Sequence, residues 1–126
     1  MIDFIMEVIL DTNFIVSCVR RRIDFIEELE KQGFRIKVPK EVIEEMKDIR
    51  KDVSRDERIA IDMAFEILDK GKVEKMGLPT MKVDEALIEF GKKGVYIATL
   101  DSAIKRVVPN TVSIENASNG IIVERK

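Results

Sequence analysis

The stretch Val8-Ile9-Leu10-Asp11-Thr12-Asn13 decides the fold of this chain. A short apolar run that ends in a polar residue is typical of a buried parallel strand whose carboxyl end leads into a helix. A second run of this kind, from Val95 to Ala98, ends at Thr99-Leu100-Asp101. Segments with helical spacing follow both runs. The alternation predicts an α/β fold, with a central, mostly parallel sheet between two layers of helices in a three-layer α/β/α sandwich.

Further elements are predicted on both sides of these two strands. We expect Thr12 or Asn13 to cap the helix that follows the first strand. Three arginines at 20–22 interrupt the helical pattern, which then resumes and ends at Gly33. Ser54 is expected to cap a later helix. The remaining strands are predicted at 34–38, 72–75, 112–114 and 121–123, and the remaining helices at 40–51, 55–70, 83–91 and 102–107.

Composition excludes several kinds of chemistry. The 126 residues, 45% of them hydrophobic, suit a single domain over 1–126. Cys18 is the only cysteine and there is no histidine, which excludes an intramolecular disulfide, His-based zinc sites and His-dependent triads. No apolar run is long enough to cross a membrane, and the acidic N-terminus does not look like a signal peptide, so we expect a cytoplasmic protein. Either Met1 or Met6 fits as the start of the chain.

Four carboxylates are candidates for the chemistry of this chain. Asp11 and Asp101 each follow a strand that is expected to be central, and Glu45 and Asp84 lie in helices that begin at the same sheet edge. Each also has a simpler interpretation, as a helix cap or a solvated helical acid. Four neighbouring carboxylates repel one another unless cations balance them. Oxygen ligands suit Mg²⁺ or Mn²⁺, and two such ions can support phosphodiester hydrolysis without histidine.

Taken in order, four segments resemble the PIN domain, a family of metal-dependent nucleases. They are VILDTNF at 8–14, VPKEVIEEM at 38–46, VDEALIEF at 83–90 and YIATLDSAIK at 96–105. The resemblance implies a doubly wound sheet, Mg²⁺ or Mn²⁺ as cofactor, and RNA as the substrate.

The same resemblance assigns roles to particular residues. It implies that the metal ligands and catalytic groups are Asp11, Glu45, Asp84 and Asp101. It also implies that Asn13 and Thr99 contact these ligands without binding the metal themselves. Glu44 competes with Glu45 for its role.

The charge balance does not by itself indicate an RNA-binding protein. The net charge is −2, and the densely charged segment 47–58 has five bases against four acids, a net charge of only +1. Its alternative interpretation is a solvated loop between helices. The basic side chains that are candidates for contacting RNA are Arg20, Arg21, Arg22, Arg50 and Lys51.

The helix predicted at 55–70 is apolar around most of its circumference, with a narrow polar stripe. Such a helix is usually buried on two sides. It is therefore either a central core helix or a surface for a second copy of the chain or a small antitoxin-like protein.

Two other families with similar sheets are excluded. A phosphoacceptor receiver domain needs an Asp after its third strand, where this chain has Lys75 and Met76, and a haloacid-dehalogenase-type phosphatase needs an Asp where this chain has Asn13. The expected function is that of an Mg²⁺- or Mn²⁺-dependent endoribonuclease, either a toxin or, as segment 38–46 slightly favours, an enzyme of rRNA processing. The alternative is a PIN-like module that binds RNA or a protein partner without cleavage.

Overall fold

The computed structural model describes residues 6–126. The choice between Met1 and Met6 as the start lies outside these residues. The strands are β1 (Met6–Leu10), β2 (Phe34–Pro39), β3 (Val73–Met76), β4 (Tyr96–Ala98), β5 (Asn110–Glu115) and β6 (Gly120–Arg125). The helices are α1 (Thr12–Arg20), α2 (Phe25–Lys31), α3 (Lys40–Ile49), α4 (Arg55–Lys70), α5 (Val83–Lys92) and α6 (Ser102–Val107).

The six strands form one sheet in the order β3-β2-β1-β4-β5-β6. All neighbouring strands are parallel except β6, which is antiparallel to β5. Val8 of β1 pairs with Ile36 on one side and with Tyr96 on the other. The strand order therefore reverses between β1 and β4, the two strands that carry Asp11 and Asp101 at their carboxyl ends. The predicted mostly parallel sheet is confirmed.

Side chains alternate between the two faces of the sheet, and helices cover both faces. Val8 and Leu10 belong to the larger core, with buried residues of α1, α2, α3 and α4. Ile9 points the other way, into a smaller core with Leu87 of α5 and Ile104 of α6. This arrangement confirms the predicted α/β/α sandwich.

A close approach between helices fixes α5 in the smaller core. A Cβ atom at Gly91 would overlap the side chain of Val108, which follows α6. Only glycine fits at this contact, so the position of α5, and with it that of Asp84 near its start, depends on Gly91.

The predicted caps are right at one helix and wrong at another. Ser54 caps α4 as expected, and its hydroxyl accepts a hydrogen bond from the N–H of Glu57. The prediction that Thr12 or Asn13 caps α1 is wrong, because Asp11 is the cap and accepts a hydrogen bond from the N–H of Thr12. The chain therefore leaves β1 and enters α1 one residue earlier than predicted.

The helix α4 has the predicted bounds, but within the described chain it is packed on one side only. Ala60, Ile61, Ala64 and Leu68 are buried towards the core. On the outer side, Ile59 and Met63 remain 47% and 48% exposed. Among the residues described, no helix is long and apolar enough to cross a membrane.

Candidate functional site

One pocket, of about 650 Å³, opens at the carboxyl ends of β1 and β4. All four carboxylates singled out from the sequence line it: Asp11, Glu45, Asp84 and Asp101. Glu57 of α4 lines it as a fifth acid that sequence reasoning missed. The pocket lies where the strand order reverses, which is the usual ligand position in an open parallel sheet. We call it the acid pocket.

Asp11 is the most firmly held of these acids. It is only 9% exposed. Its Oδ1 accepts a hydrogen bond from Thr12 N at 2.9 Å, and its Oδ2 accepts one from Thr99 Oγ1 at 2.8 Å. Burial raises the pKa of Asp11, and the negative charges of Asp101 and Asp84 raise it further, while the two hydrogen bonds lower it. A cation in the pocket would relieve this electrostatic cost.

Thr99 and Asn13, which the resemblance named as supporting groups, connect the ends of the two strands through hydrogen bonds. Thr99 Oγ1 donates to Asp11 and accepts from Asp101 N at 3.1 Å. Asn13 Oδ1 accepts from Leu100 N at 3.0 Å. Asp101 in turn caps α6, with Oδ1 accepting from Ala103 N at 2.9 Å. The helix-cap interpretation of Asp11 and Asp101 is therefore correct, and both capping residues still line the acid pocket.

Glu45 and Asp84 reach the acid pocket from helices and are more exposed. Partial burial and then the charge of Asp11 raise the pKa of Glu45. Its neighbour Glu44 points elsewhere and pairs with Lys47 at 3.1 Å. Asp84 Oδ1 accepts a hydrogen bond from Glu85 N at 3.0 Å in the first turn of α5. The structure thus places Glu45, rather than Glu44, beside Asp11.

The acids share a pocket without forming a tight cluster. In the stretch 6–126, no three Asp, Glu, Cys or His side chains stand close enough together to hold one metal ion. The four carboxylates predicted to be neighbours therefore do line one pocket, but no three of them lie close enough to bind one ion as the side chains stand. Like charges repel, and the exposed side chains of Glu45 and Asp84 have several rotamers through which they can separate.

The donor atoms of the acid pocket fit a hard divalent cation. Its acids offer only carboxylate oxygens, which suit Mg²⁺ and Mn²⁺. Thr12 also lines the pocket and is only 6% exposed, yet its Oγ1 is buried without a hydrogen-bond partner in the described chain. This hydroxyl partly offsets the rise in the Glu45 pKa, although its contact with Glu45 does not have the geometry of a full hydrogen bond. A buried, unpartnered hydroxyl is costly and leaves a place for a bound water or ion.

The basic side chains proposed to contact RNA are divided between several places. Arg20 lines the acid pocket, and Arg21 lines a side channel next to it with Ser17 and Arg20. Arg22 lies on a different, apolar groove beside Met63.

The other two predicted contacts are engaged within the protein. Arg50 donates two hydrogen bonds to Asp62, at 2.6 and 2.9 Å, and Lys51 lies 3.5 Å from Asp48. Sequence reasoning missed Lys82, which lines the acid pocket just before α5.

The fold and the acid pocket define an α/β protein with a carboxylate site at the reversal of its strand order. A model of the family described as PIN like domain matches residues 8–115, and the chain belongs to this family. The crystal structure of PAE2754 from Pyrobaculum aerophilum is similar in fold, with a TM-score of 0.62 over 87% of this chain and 92% of that one. The two sequences are 11% identical, so this likeness concerns the fold alone. No curated protein matches the chain.

Proposed function

We propose that the protein is an Mg²⁺- or Mn²⁺-dependent endoribonuclease that hydrolyses RNA phosphodiesters at the acid pocket. The observation that carries the proposal is the convergence of Asp11, Glu45, Asp84 and Asp101 on one pocket of a PIN-like domain. The pocket contains neither histidine nor cysteine. A hydrolase built on it therefore depends on oxygen ligands and on the cations they bind.

In this proposal Asp11 and Asp101 hold the cations on the rigid side, and Glu45 and Asp84 complete the set from their helices. Divalent cations bound there would supply an activated water and neutralise charge on the phosphate. Thr99 fixes the orientation of Asp11 through its hydrogen bond to Oδ2. Residues that orient a metal ligand in this way usually contribute substantially to metal affinity.

The buried hydroxyl of Thr12 has a place in the same reaction. It lies in the acid pocket beside Asp11, without a partner in the part of the chain described. A hydroxyl can accept a hydrogen bond from a water while donating one to a carboxylate. We assign it the task of orienting a water near Glu45.

A second candidate function is a PIN-like module that binds a protein partner or RNA without cutting. The exposed Ile59 and Met63 on the outer side of α4 favour it, because large apolar side chains on one surface are a common feature of protein contacts. The partner at this surface is either a second copy of the chain or a small antitoxin-like protein. The presence of all four acids in one pocket favours the nuclease.

The test is RNA cleavage by the wild type and by Asp11→Asn, with Mn²⁺ or Mg²⁺. Asparagine is an equally good helix cap, so the substitution removes the charge and retains the fold. Asp69→Asn is the matched control, because Asp69 is an exposed acid at the far end of α4. We expect metal-dependent cleavage by the wild type and the control, and none by Asp11→Asn. If the wild type does not cleave RNA, or Asp11→Asn cleaves it equally well, the proposal is wrong.

A further inference from the structure

Two grooves of opposite charge adjoin the acid pocket. On one side Ser17 and Arg20 continue into the side channel, where Arg21 is the third lining residue. The pocket also shares Glu45, Ile49 and Val83 with a second groove, whose charged residues are Lys40, Glu41, Glu44, Glu45 and Asp48. The first groove carries two positive charges and the second a net charge of −3. A phosphate backbone that leaves the acid pocket is attracted to the first and repelled by the second.

Two cations stand at the rim of the acid pocket itself. Arg20 has a 59% exposed side chain, and its ion pair with Glu57 is loose, with 3.9 Å between Nη1 and Oε1. Lys82 is exposed and forms no ion pair within the residues described. Neither side chain is committed to a strong internal contact, unlike Arg50, which binds Asp62 through two short hydrogen bonds. Both cations are therefore available to an anionic ligand.

The far end of the side channel is held in place by the β5–β6 turn. Arg21 Nη1 donates to Asn119 Oδ1 at 3.3 Å, and Asn119 Nδ2 donates back to the carbonyl oxygen of Arg21 at 3.4 Å. Asn119 has a φ of 57°, a conformation that asparagine adopts more readily than most residues. These contacts keep Arg21 on the channel, while Arg22 turns away to the apolar groove.

We propose that a single strand of RNA crosses the acid pocket from Lys82 to the channel formed by Ser17, Arg20 and Arg21. Lys82 and Arg20 contact phosphates next to the reacting one, and Arg21 contacts a further phosphate along the channel. In the free protein Glu57 pairs with Arg20, and bound RNA must displace this pair. This inference rests on the proposed nuclease function, and it adds the path of the substrate.

The path is tested by measuring binding rather than cleavage. The probe is a fluorescent single-stranded oligouridylate, followed by anisotropy in Ca²⁺ over a range of salt concentrations, with gel analysis to confirm that the RNA stays intact. We expect Arg20→Ala and Lys82→Ala each to weaken binding about 10-fold. Each is also expected to lower the slope of log K against log salt by about 0.7, the value for one phosphate contact to a single strand.

The neighbour in sequence provides a matched control. Arg22→Ala removes the same charge from the same segment, but Arg22 lies on the apolar groove. We expect it to change binding by less than about 2-fold, because Arg22 does not line the proposed path and salt screens its exposed charge. If Arg22→Ala weakens binding as much as Arg20→Ala, the effect is one of overall charge and the path is wrong.

Glu57→Gln should act in the opposite direction from Arg20→Ala. It removes a negative charge from the acid pocket and releases Arg20, so we expect binding to tighten by about 2- to 5-fold. If the Arg20–Glu57 pair were only structural, both substitutions would weaken binding or leave it unchanged, and either result would overturn the proposed competition. Thermal unfolding of each variant verifies that it is folded.

Failure of the path and failure of the nuclease proposal can be distinguished. If the RNA binds with the expected dependence on Arg20 and Lys82 but is not cut in Mn²⁺, the path is supported and the nuclease proposal fails. If the RNA is cut but binds equally well to both variants, the path is wrong and the nuclease proposal stands. An absence of binding to the wild type overturns the path.

Discussion

The two halves of the acid pocket are built differently. Asp11 and Asp101 stand at the ends of central strands, cap helices with their side chains, and are joined through the Thr99 hydroxyl. Glu45 and Asp84 extend from the surfaces of α3 and α5 and are largely exposed. The strand half is therefore held in position by the backbone and its hydrogen bonds, whereas the helix half can adjust its rotamers.

This difference indicates how such a pocket can hold several acids before a cation arrives. The rigid half keeps its charges in place through hydrogen bonds that stabilise the ionised form. The adjustable half lowers the repulsion by keeping its carboxylates apart, in agreement with the lack of a tight three-acid group among residues 6–126. Metal binding would draw the adjustable half inwards. The predictions below test this division of roles.

The largest difference is expected between Asp101→Asn and Asp84→Asn. Loss of Asp101, the ligand proposed in the rigid half, should lower cleavage by more than about 100-fold, which is the upper end of the loss caused by removing an outer partner of a metal ligand. Loss of the adjustable ligand should lower it less, and raising Mn²⁺ should restore much of the activity, because water can replace an exposed ligand. The measurement is the cleavage rate against Mn²⁺ concentration. Equal, non-rescuable losses would contradict the division.

Thr99→Val is expected to lower cleavage by about 10- to 100-fold, since the Thr99 hydroxyl orients Asp11. It should also lower the free energy of unfolding by about 1–3 kcal/mol, because Asp11 and the N–H of Asp101 each lose a hydrogen bond. Thr111→Val is the control, a buried threonine on β5 that does not line the acid pocket. Urea denaturation gives the stabilities. A loss of activity in both variants would mean that the effect is not specific to Asp11.

Within the adjustable half, Glu45→Gln and Glu44→Gln distinguish two adjacent acids. We expect Glu45→Gln to lower cleavage by up to about 10-fold, the lower end of the effect of weakening a metal site. Glu44→Gln should have little effect, because Glu44 pairs with Lys47 away from the acid pocket. Cleavage rates at a fixed, sub-saturating Mn²⁺ concentration measure the contrast. The opposite order would assign the role to Glu44.

The smallest effect concerns pH and stability. Burial raises the pKa of Asp11, so the folded protein without metal binds this proton more tightly than the unfolded chain does. Its free energy of unfolding should therefore increase as the pH falls from the raised pKa towards the ordinary value of about 3.9. Metal binding requires the ionised carboxylate, so stabilisation by Mn²⁺ should grow as the pH rises through the same window.

Melting temperatures with and without Mn²⁺, between about pH 4 and pH 7.5, test this linkage. Asp11→Asn removes the titrating group, so both trends should be weaker in that variant. If the wild type and the variant respond identically to pH, the charge of Asp11 does not influence the fold as we describe.

Sequence patterns predicted the fold and the positions of Asp11 and Asp101 at the carboxyl ends of neighbouring strands. The apolar runs before Asp11 and Thr99 mark strand ends, and the carboxyl ends of parallel strands meet at one edge of a sheet. Glu45 and Glu44 could not be distinguished, because adjacent residues on a helix point about a quarter turn apart and only the packing of α3 selects between them. The structure makes that selection by placing Glu45 beside Asp11.

The residues that were missed depend on contacts between distant segments. Glu57 lies in the charged segment 47–58, whose composition is typical of a solvent-exposed loop. It lines the acid pocket because α4 packs on α1. Its one local signal was the Ser54 cap, which places it in the first turn of α4. Lys82 lies just before α5, and no sequence motif around it indicates a functional role. The exposure of Ile59 could not be predicted either, because α4 is apolar around most of its circumference and the sequence does not show which side packs against the core.

The most direct test of the central claim is to locate Mn²⁺ in crystals of the wild type by anomalous scattering, with Asp11→Asn as the comparison. We predict Mn²⁺ in the acid pocket with Asp11 and Asp101 as ligands, and with Glu45 and Asp84 drawn towards it. Asp11→Asn should lose the ion or bind it with clearly lower occupancy. A wild-type crystal with Mn²⁺ elsewhere and none in the acid pocket would contradict the account.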